Sequence, residues 1–260
     1  MVVLWPIKAP PAHSPRRVHF AFESGPYLVK LLEADEKEDA FRLRHDIFHH
    51  EHHNRTLPEL RDVDEIDEYS DHLGVYCAGR LVGTYRLNCT LYSSLFYASD
   101  RFDLAPLLSL PGNKVELGRA CVAGDSRKGI ALHLLWRGIA EYMKRTDCRY
   151  LFGCSSIRST DLQQVAGYFK FLQEHGHLSD SLWLDVLAHR RYPDFAKELN
   201  GAPAEKNVPT LMKAYFKAGA KVVAEPACDS FMYCADFLTV LDAKLVTDRI
   251  GRRYQLATAD

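Results

Sequence analysis

The stretch that most constrains the fold runs from Lys114 to Met143. Its first part, Lys114-Val-Glu-Leu-Gly-Arg-Ala-Cys-Val122, is apolar at Val115, Leu117, Ala120, Cys121 and Val122 and is interrupted by Glu116 and Arg119. It reads as a strand. A turn follows, Ala123-Gly-Asp-Ser-Arg-Lys-Gly129. From Ile130 onward Leu132, Leu134, Leu135, Trp136, Ile139, Ala140 and Met143 recur at helical spacing. Strand, basic glycine-containing turn and helix together offer backbone N–H groups and a positive dipole end to an anion. The glycine spacing matches neither the Walker nor the dinucleotide pattern, which speaks against a nucleoside triphosphate or NAD.

At 260 residues the chain is long enough to bury one elaborated core. We expect an N-terminal extension over 1–26, rich in proline, and a domain over 27–250 that carries an inserted arm at 176–207. A net charge of −1 and a pI near 6.9 provide no global attraction to nucleic acid. The seven cysteines show no C-x-x-C pair and sit mostly in apolar runs, so they read as reduced core thiols. No apolar run reaches the roughly 18–20 residues of a bilayer span, and the N-terminus lacks signal-peptide order. The expected location is cytoplasmic.

Along the chain, Tyr27–Leu32 reads as a strand and Asp35–His50 as a helix with Ala40, Phe41, Leu43, Ile47 and Phe48 on its apolar side. The acidic segment 51–69, with Asp62, Asp64, Glu65, Asp67 and Glu68, is expected to be a long mobile loop. Leu73–Ala78 and Leu81–Leu87 flank Gly79-Arg80 as a hairpin. Arg149–Ser155 is a buried strand, 161–175 a helix, and Pro209–Ala218 a helix ended by Gly219. Ala220–Ala224 and Ser230–Val240 are expected as closing strands. Alternating strands and helices with one hairpin predict an α/β fold with a mixed sheet.

Several residues invite chemistry. Glu116, on a buried strand, is either a general base of raised proton affinity or a structural partner of Arg119 or Arg86. His45, His49, His50, His52 and His53 cluster around Glu51 but follow no H-E-x-x-H order, so no metal is expected. Cys121 and Cys154 lack any activating neighbour and read as core thiols. No G-x-S-x-G elbow points to a serine hydrolase.

A resemblance sharpens this reading. Glu116-Leu-Gly-Arg119, Arg127-Lys-Gly129 and Leu134-Leu-Trp-Arg-Gly-Ile139 resemble the acyltransferases that form N-acyl amino acids and ornithine lipids. Asp67-Glu-Tyr69 followed by Asp71-His72-Leu73, and Gly83-Thr-Tyr-Arg86, are similar to phrases of the same enzymes. These belong to the GNAT-like superfamily, beside the acyl-homoserine-lactone synthases, whose site is shaped by an Arg/Phe pair that Arg44 and Phe48 match. The resemblance implies a GNAT-like mixed central sheet flanked by helices, with a helical insertion near the C-terminal third. It implies transfer of a long-chain acyl group from acyl carrier protein or acyl-CoA to the amine of ornithine, glycine or another α-amino acid. Glu116, with Asp71 and His72, would handle the amine proton; Arg44, Phe48, Asp67, Arg86 and Arg119 would bind substrate. The acyl donor would lie along Cys121, Val122, Arg127, Lys128, Gly129 and Ser155.

No cofactor is implied beyond the acyl-ACP or acyl-CoA co-substrate. The turn has one residue fewer between arginine and glycine than the usual acetyl-CoA signature, a departure that favours the carrier protein. A lipid product implies peripheral contact with the inner face of a membrane. The rival readings are an acyl-homoserine-lactone synthase and a non-catalytic lipid or carrier-protein binding module.

Overall fold

The computed structural model describes residues 17–52, 54–127, 129–201, 208–246 and 251. In chain order the elements are β1 (Ala21–Ser24), β2 (Tyr27–Leu31), α1 (Lys37–Arg44), β3 (Asp71–Cys77), β4 (Arg80–Cys89), α2 (Ala105–Leu108) and β5 (Asn113–Val122). They continue with α3 (Ala131–Arg145), β6 (Cys148–Ile157), α4 (Leu162–Glu174), α5 (Phe195–Gly201), α6 (Thr210–Ala218), β7 (Lys221–Val222), β8 (Ala227–Asp229) and β9 (Cys234–Asp242). The chain forms two compact units, one within Met1–Phe96 and Arg119–Thr146, the other within Tyr97–Gly118 and Asp147–Asp260.

In the first unit β1, β2, β3 and β4 form an antiparallel meander. The β3–β4 hairpin turns through Ala78 and Gly79 at φ of 49° and 76°, the twist that suits a tight hairpin. Helix α3 buries Leu134, Leu135, Trp136, Ile139, Ala140 and Met143 of the periodic set expected from sequence, and leaves Leu132 half-buried. Gly138 lets it approach the sheet, because a Cβ there would lie 2.7 Å from Leu73 of β3. Helix α1 buries Ala40, Phe41 and Arg44 and passes into a π-helical stretch, His45–Glu51. Such wide turns recur where side chains are being aimed.

In the second unit β5 and β6 run parallel, from Asn113↔Cys148 to Glu116↔Phe152. The next residue of β6, Gly153, meets Leu117 so closely that a Cβ would sit 2.3 Å from its carbonyl oxygen. Strand β9 pairs antiparallel with β6, and β7 and β8 both pair with β9. Helix α4 is capped by Asp161, which accepts the Gln164 N–H at 2.8 Å. It packs Val165, Phe169 and Leu172 with Ile157, Phe195, Met212, Val222 and Phe237. Gly219 ends α6 at φ 103°, where a side chain would be strained.

Parallel and antiparallel pairing make the sheet mixed, as expected. Three local readings change. The segment before Tyr27 contains β1, paired residue for residue with β2, so proline density nearby does not stop pairing. Segment 51–69 carries a 3₁₀ turn, Glu65–Glu68, with a capping box between Asp64 and Asp67. Asp62, Ile66 and Asp67 are buried there, so side-chain ion pairs order what lacks apolar period. Ser230–Tyr233 is a turn rather than strand, because the Asp229 carboxylate takes the N–H groups of Phe231 and Met232. The inserted arm has one 3₁₀ turn, Ala188–Arg190, and helix α5; 202–207 lie outside the described residues. Among the described residues no helix is long and apolar enough to cross a membrane.

Candidate functional site

In the first unit the acidic segment folds over three arginines. Arg44, whose side chain is 1% exposed, donates through Nε and Nη2 to Asp62 at 2.8 and 2.5 Å. It also grips both oxygens of Asp67 at 2.7 and 3.0 Å. Arg86 Nη1 reaches Asp64 at 2.5 Å and Asp67 at 3.2 Å. Arg119 closes the network, with Nε 3.0 Å from Asp62 and Nη2 2.9 Å from Asp64. His49 Nε2 lies 2.8 Å from the other oxygen of Asp62. Cations and carboxylates balance, which is the condition for keeping charge inside a protein. Burial would raise the Asp62 pKa, but the Arg119 and Arg44 guanidiniums overcome it and hold the group well below the usual carboxylate range. Asp67 is likewise held at about 2, against burial, by Arg44 and Arg86.

The network is graded in exposure. The side chains of Arg44 and Arg86 are 1% and 2% exposed, those of Arg119 and Asp64 are 19% and 26%. Its open edge is therefore one guanidinium beside one carboxylate. Arg119 holds its place at φ 50° within β5, a backbone region costly for a side chain of this size.

Asp71 and His72, expected to share the amine proton, are placed differently. Asp71 accepts the Tyr142 hydroxyl and the Arg17 guanidinium, both at 2.6 Å. His72 is 1% exposed, and neither ring nitrogen has a hydrogen-bond partner. Burial pushes its pKa down to about 3 against the pull of Asp67. The imidazole is thus neutral at pH 7 and too weak a base to hold a proton there.

An acid titration follows. Between 6.5 and about 3 the unfolded chain protonates His72 and the folded chain does not, so stability falls as the pH falls. Asp62 and Asp67 act in the same direction below 3.8. The Tm should decline from about pH 7 to about pH 4, and His72→Leu should flatten that decline while leaving the Tm at pH 7 within a few degrees, since no hydrogen bond is lost. An equally steep decline in the variant would remove His72 from the titration.

The donor-side residues named from the strand–turn–helix stretch fall along β5 and its turn. Cys121 is buried, and burial pushes its thiol up to about 12. Val122 is half-buried and ends β5. Arg127 donates to Val122 O at 3.2 Å and pairs through both terminal nitrogens with Glu51. The Gly129 N–H bonds Ser126 O at 3.2 Å. Lys128 lies outside the described residues, as does His53. Phe48 is half-buried, its ring edge-on to His52 at 6.0 Å. His45 accepts the Leu57 N–H at 3.1 Å and stacks with His49.

In the second unit Glu116 is 3% exposed. Its two oxygens accept the N–H groups of Tyr97 and Ala98, each at 2.8 Å, at the start of the 3₁₀ turn Tyr97–Asp100. Ser155 is buried, and its hydroxyl accepts that of Thr239 at 3.1 Å. Burial raises the Cys154 thiol well above its ordinary value. All seven cysteines are free. Asp229, Cys234 and Asp236 bring donor atoms within 4.8 Å of one another, a set that could hold a metal. Arg101 already answers their charge: it donates to Asp229 and, at 2.6 Å, to Asp236.

Sequence reasoning named Arg44, Asp67, Arg86 and Arg119 but missed Asp62 and Asp64 as their partners, although the acidic run was visible. It missed Arg101, Asp229 and Asp236 altogether, since 128 and 135 positions separate the pairs.

A sequence profile described as an acetyltransferase (GNAT) domain matches residues 43–137. The L-ornithine N(alpha)-acyltransferase of Brucella abortus is 32% identical over 211 residues, 75% of this chain and 74% of the relative. That of Rhodobacter capsulatus is 28% identical over 249 residues, 88% of this chain and 94% of the relative. Among solved structures, the AHL synthase LasI superposes with a TM-score of 0.50 at 9% identity, covering 90% of this chain and 97% of that one. The fold is GNAT-like, as expected, and the chain is an N-acyltransferase by relationship.

Proposed function

Since the chain belongs to the family of the L-ornithine Nα-acyltransferases, we propose that it transfers a long-chain acyl group from acyl carrier protein to the α-amine of L-ornithine. The observation that carries the assignment of residues is the open edge of the buried network, Arg119 beside Asp64. A free amino acid presents a carboxylate and an ammonium group close together, and a guanidinium next to a carboxylate complements both. Arg119 would hold the substrate carboxylate, while Arg44, Asp62, Asp67 and Arg86 hold Arg119 and Asp64 in place.

Glu116 takes the proton that the α-ammonium must lose before its nitrogen can attack. The two backbone N–H groups on its carboxylate support this role by fixing the orientation of the base. The neutral amine adds to the thioester carbonyl, the C–N bond forms, and the C–S bond of the tetrahedral intermediate breaks, the proton shed by the nitrogen leaving with the carrier's sulfur as its thiol. Direct attack is favoured over an acyl-enzyme because burial keeps the Cys121 and Cys154 thiols protonated. Arg127 and Gly129 would lie along the donor's phosphopantetheine.

The test is mass spectrometry of products from the purified chain, L-ornithine and either acyl-ACP or acyl-CoA. Nα-acylornithine formed faster from the carrier protein is the expected result. Acylation of another amino acid would move the head group, faster use of CoA would move the donor, and homoserine-lactone products would favour the synthase reading. Donor binding without turnover would favour a binding module.

A further inference from the structure

We propose that the turn Ser230-Phe-Met-Tyr233, between β8 and β9, is an interfacial anchor that inserts into the headgroup layer of a phospholipid bilayer. Tight turns between antiparallel strands ordinarily use Gly, Asn, Asp or Ser. This one offers Phe231, 66% exposed, and Tyr233, 69% exposed. Tyr233 also sits at φ 50°, a conformation that a bulky residue adopts only under strain and that asparagine adopts readily. The fold thus bears strain and apolar exposure at one residue, and a single ordinary turn residue would relieve both.

The turn is held rigidly. Asp229 accepts the N–H groups of Phe231 and Met232 at 3.1 and 3.0 Å. Asp229 itself is 2% exposed and bonded to Arg101. Little conformational freedom is therefore lost on insertion. One basic side chain lies at the base of the turn. Arg190 donates to Cys228 O and lies 3.9 Å from Asp229, with its charge partly answered by Asp100. Arg191, the next residue, is exposed, and its Nε donates to Val186 O at 2.8 Å. The exposed guanidinium of Arg191, next in sequence to Arg190, can meet a lipid phosphate as the aromatic rings enter.

The shape selects a bilayer over a protein. A stable protein interface takes about 800 Å² from each partner, more than one four-residue turn supplies. Interfacial insertion needs only about 5–10 Å of depth, and tyrosine and phenylalanine favour the boundary between water and hydrocarbon. This inference stands apart from the acyl-transfer reading and can fail or hold without it.

The test is sedimentation of the full chain with vesicles of phosphatidylethanolamine and phosphatidylglycerol. The parent is expected to co-sediment. Tyr233→Asn should bind several-fold more weakly, and Phe231→Ser with Tyr233→Asn about tenfold or more weakly. The Tm of Tyr233→Asn should equal or exceed that of the parent, because its backbone strain is gone; lost binding then cannot be lost folding. A parent that stays in the supernatant, or a double variant that binds as the parent does, would overturn the proposal. It would equally be overturned if, without lipid, purified carrier protein or a second copy of the chain bound the parent and not Tyr233→Asn.

Discussion

Glu116→Gln is expected to lower the rate of ornithine acylation by about 10²–10⁴-fold, the usual worth of a positioned general base. The substitution has a structural side as well. A glutamine carbonyl can accept only one of the two N–H groups that Glu116 now accepts from Tyr97 and Ala98, and its amide nitrogen would face the other as a second donor. A stability loss of about 1–3 kcal/mol should follow, read as a Tm lower by several degrees. The two effects separate in one experiment: kcat measured well below the Tm of the variant, where both proteins are folded. If Glu116 only tethers the Tyr97–Asp100 turn, activity per folded molecule stays within a few-fold of the parent, and the base must be sought elsewhere. Glu116→Asp sharpens the comparison by keeping the charge while shortening its reach.

Arg44→Leu is expected to be the most destabilising replacement in the acid–arginine network. It leaves Asp62 and Asp67, 6% and 3% exposed, without the guanidinium that bonds both. Removing one partner of a buried ion pair typically costs about 3–5 kcal/mol, so the Tm should fall by about 10 °C. The cost belongs to the stranded carboxylates, not to any large gain from the pair itself. Asp62→Asn and Asp67→Asn added to Arg44→Leu should therefore recover part of the loss. Thermal melts of the parent, the single variant and the triple variant decide it. A single variant whose Tm stays within about a degree of the parent's would mean that water or a relaxed loop replaces the arginine.

Elements defined by local periodicity were legible in the sequence, and charge pairs between distant segments were not. Helix α3 appeared as its own apolar spacing because one helical face must meet the core. The β3–β4 hairpin appeared through Gly79 in a tight turn. The 51–69 segment read as a long mobile loop because its carboxylates have no period, yet Asp62, Asp64 and Asp67 are what close it over α1, β4 and β5. The Phe-Met-Tyr run read as strand because aromatic residues favour strands, whereas the Asp229 side chain bends the backbone there.

The family resemblance picked out Arg44, Asp67, Arg86, Arg119 and Glu116 one by one but not what each of them touches. Arg101 shows why: two of its carboxylate partners, Asp229 and Asp236, are more than a hundred positions away, and no window along the chain contains them with it. Hydrophobic period, turn chemistry and membership of an N-acyltransferase family are properties of neighbouring residues and of motifs, and the sequence alone determined them. Tertiary structure decided which charges pair, which imidazole is stripped of water and which turn is left exposed. Those outcomes depend on desolvation, and desolvation exists only once segments far apart in the chain have packed together.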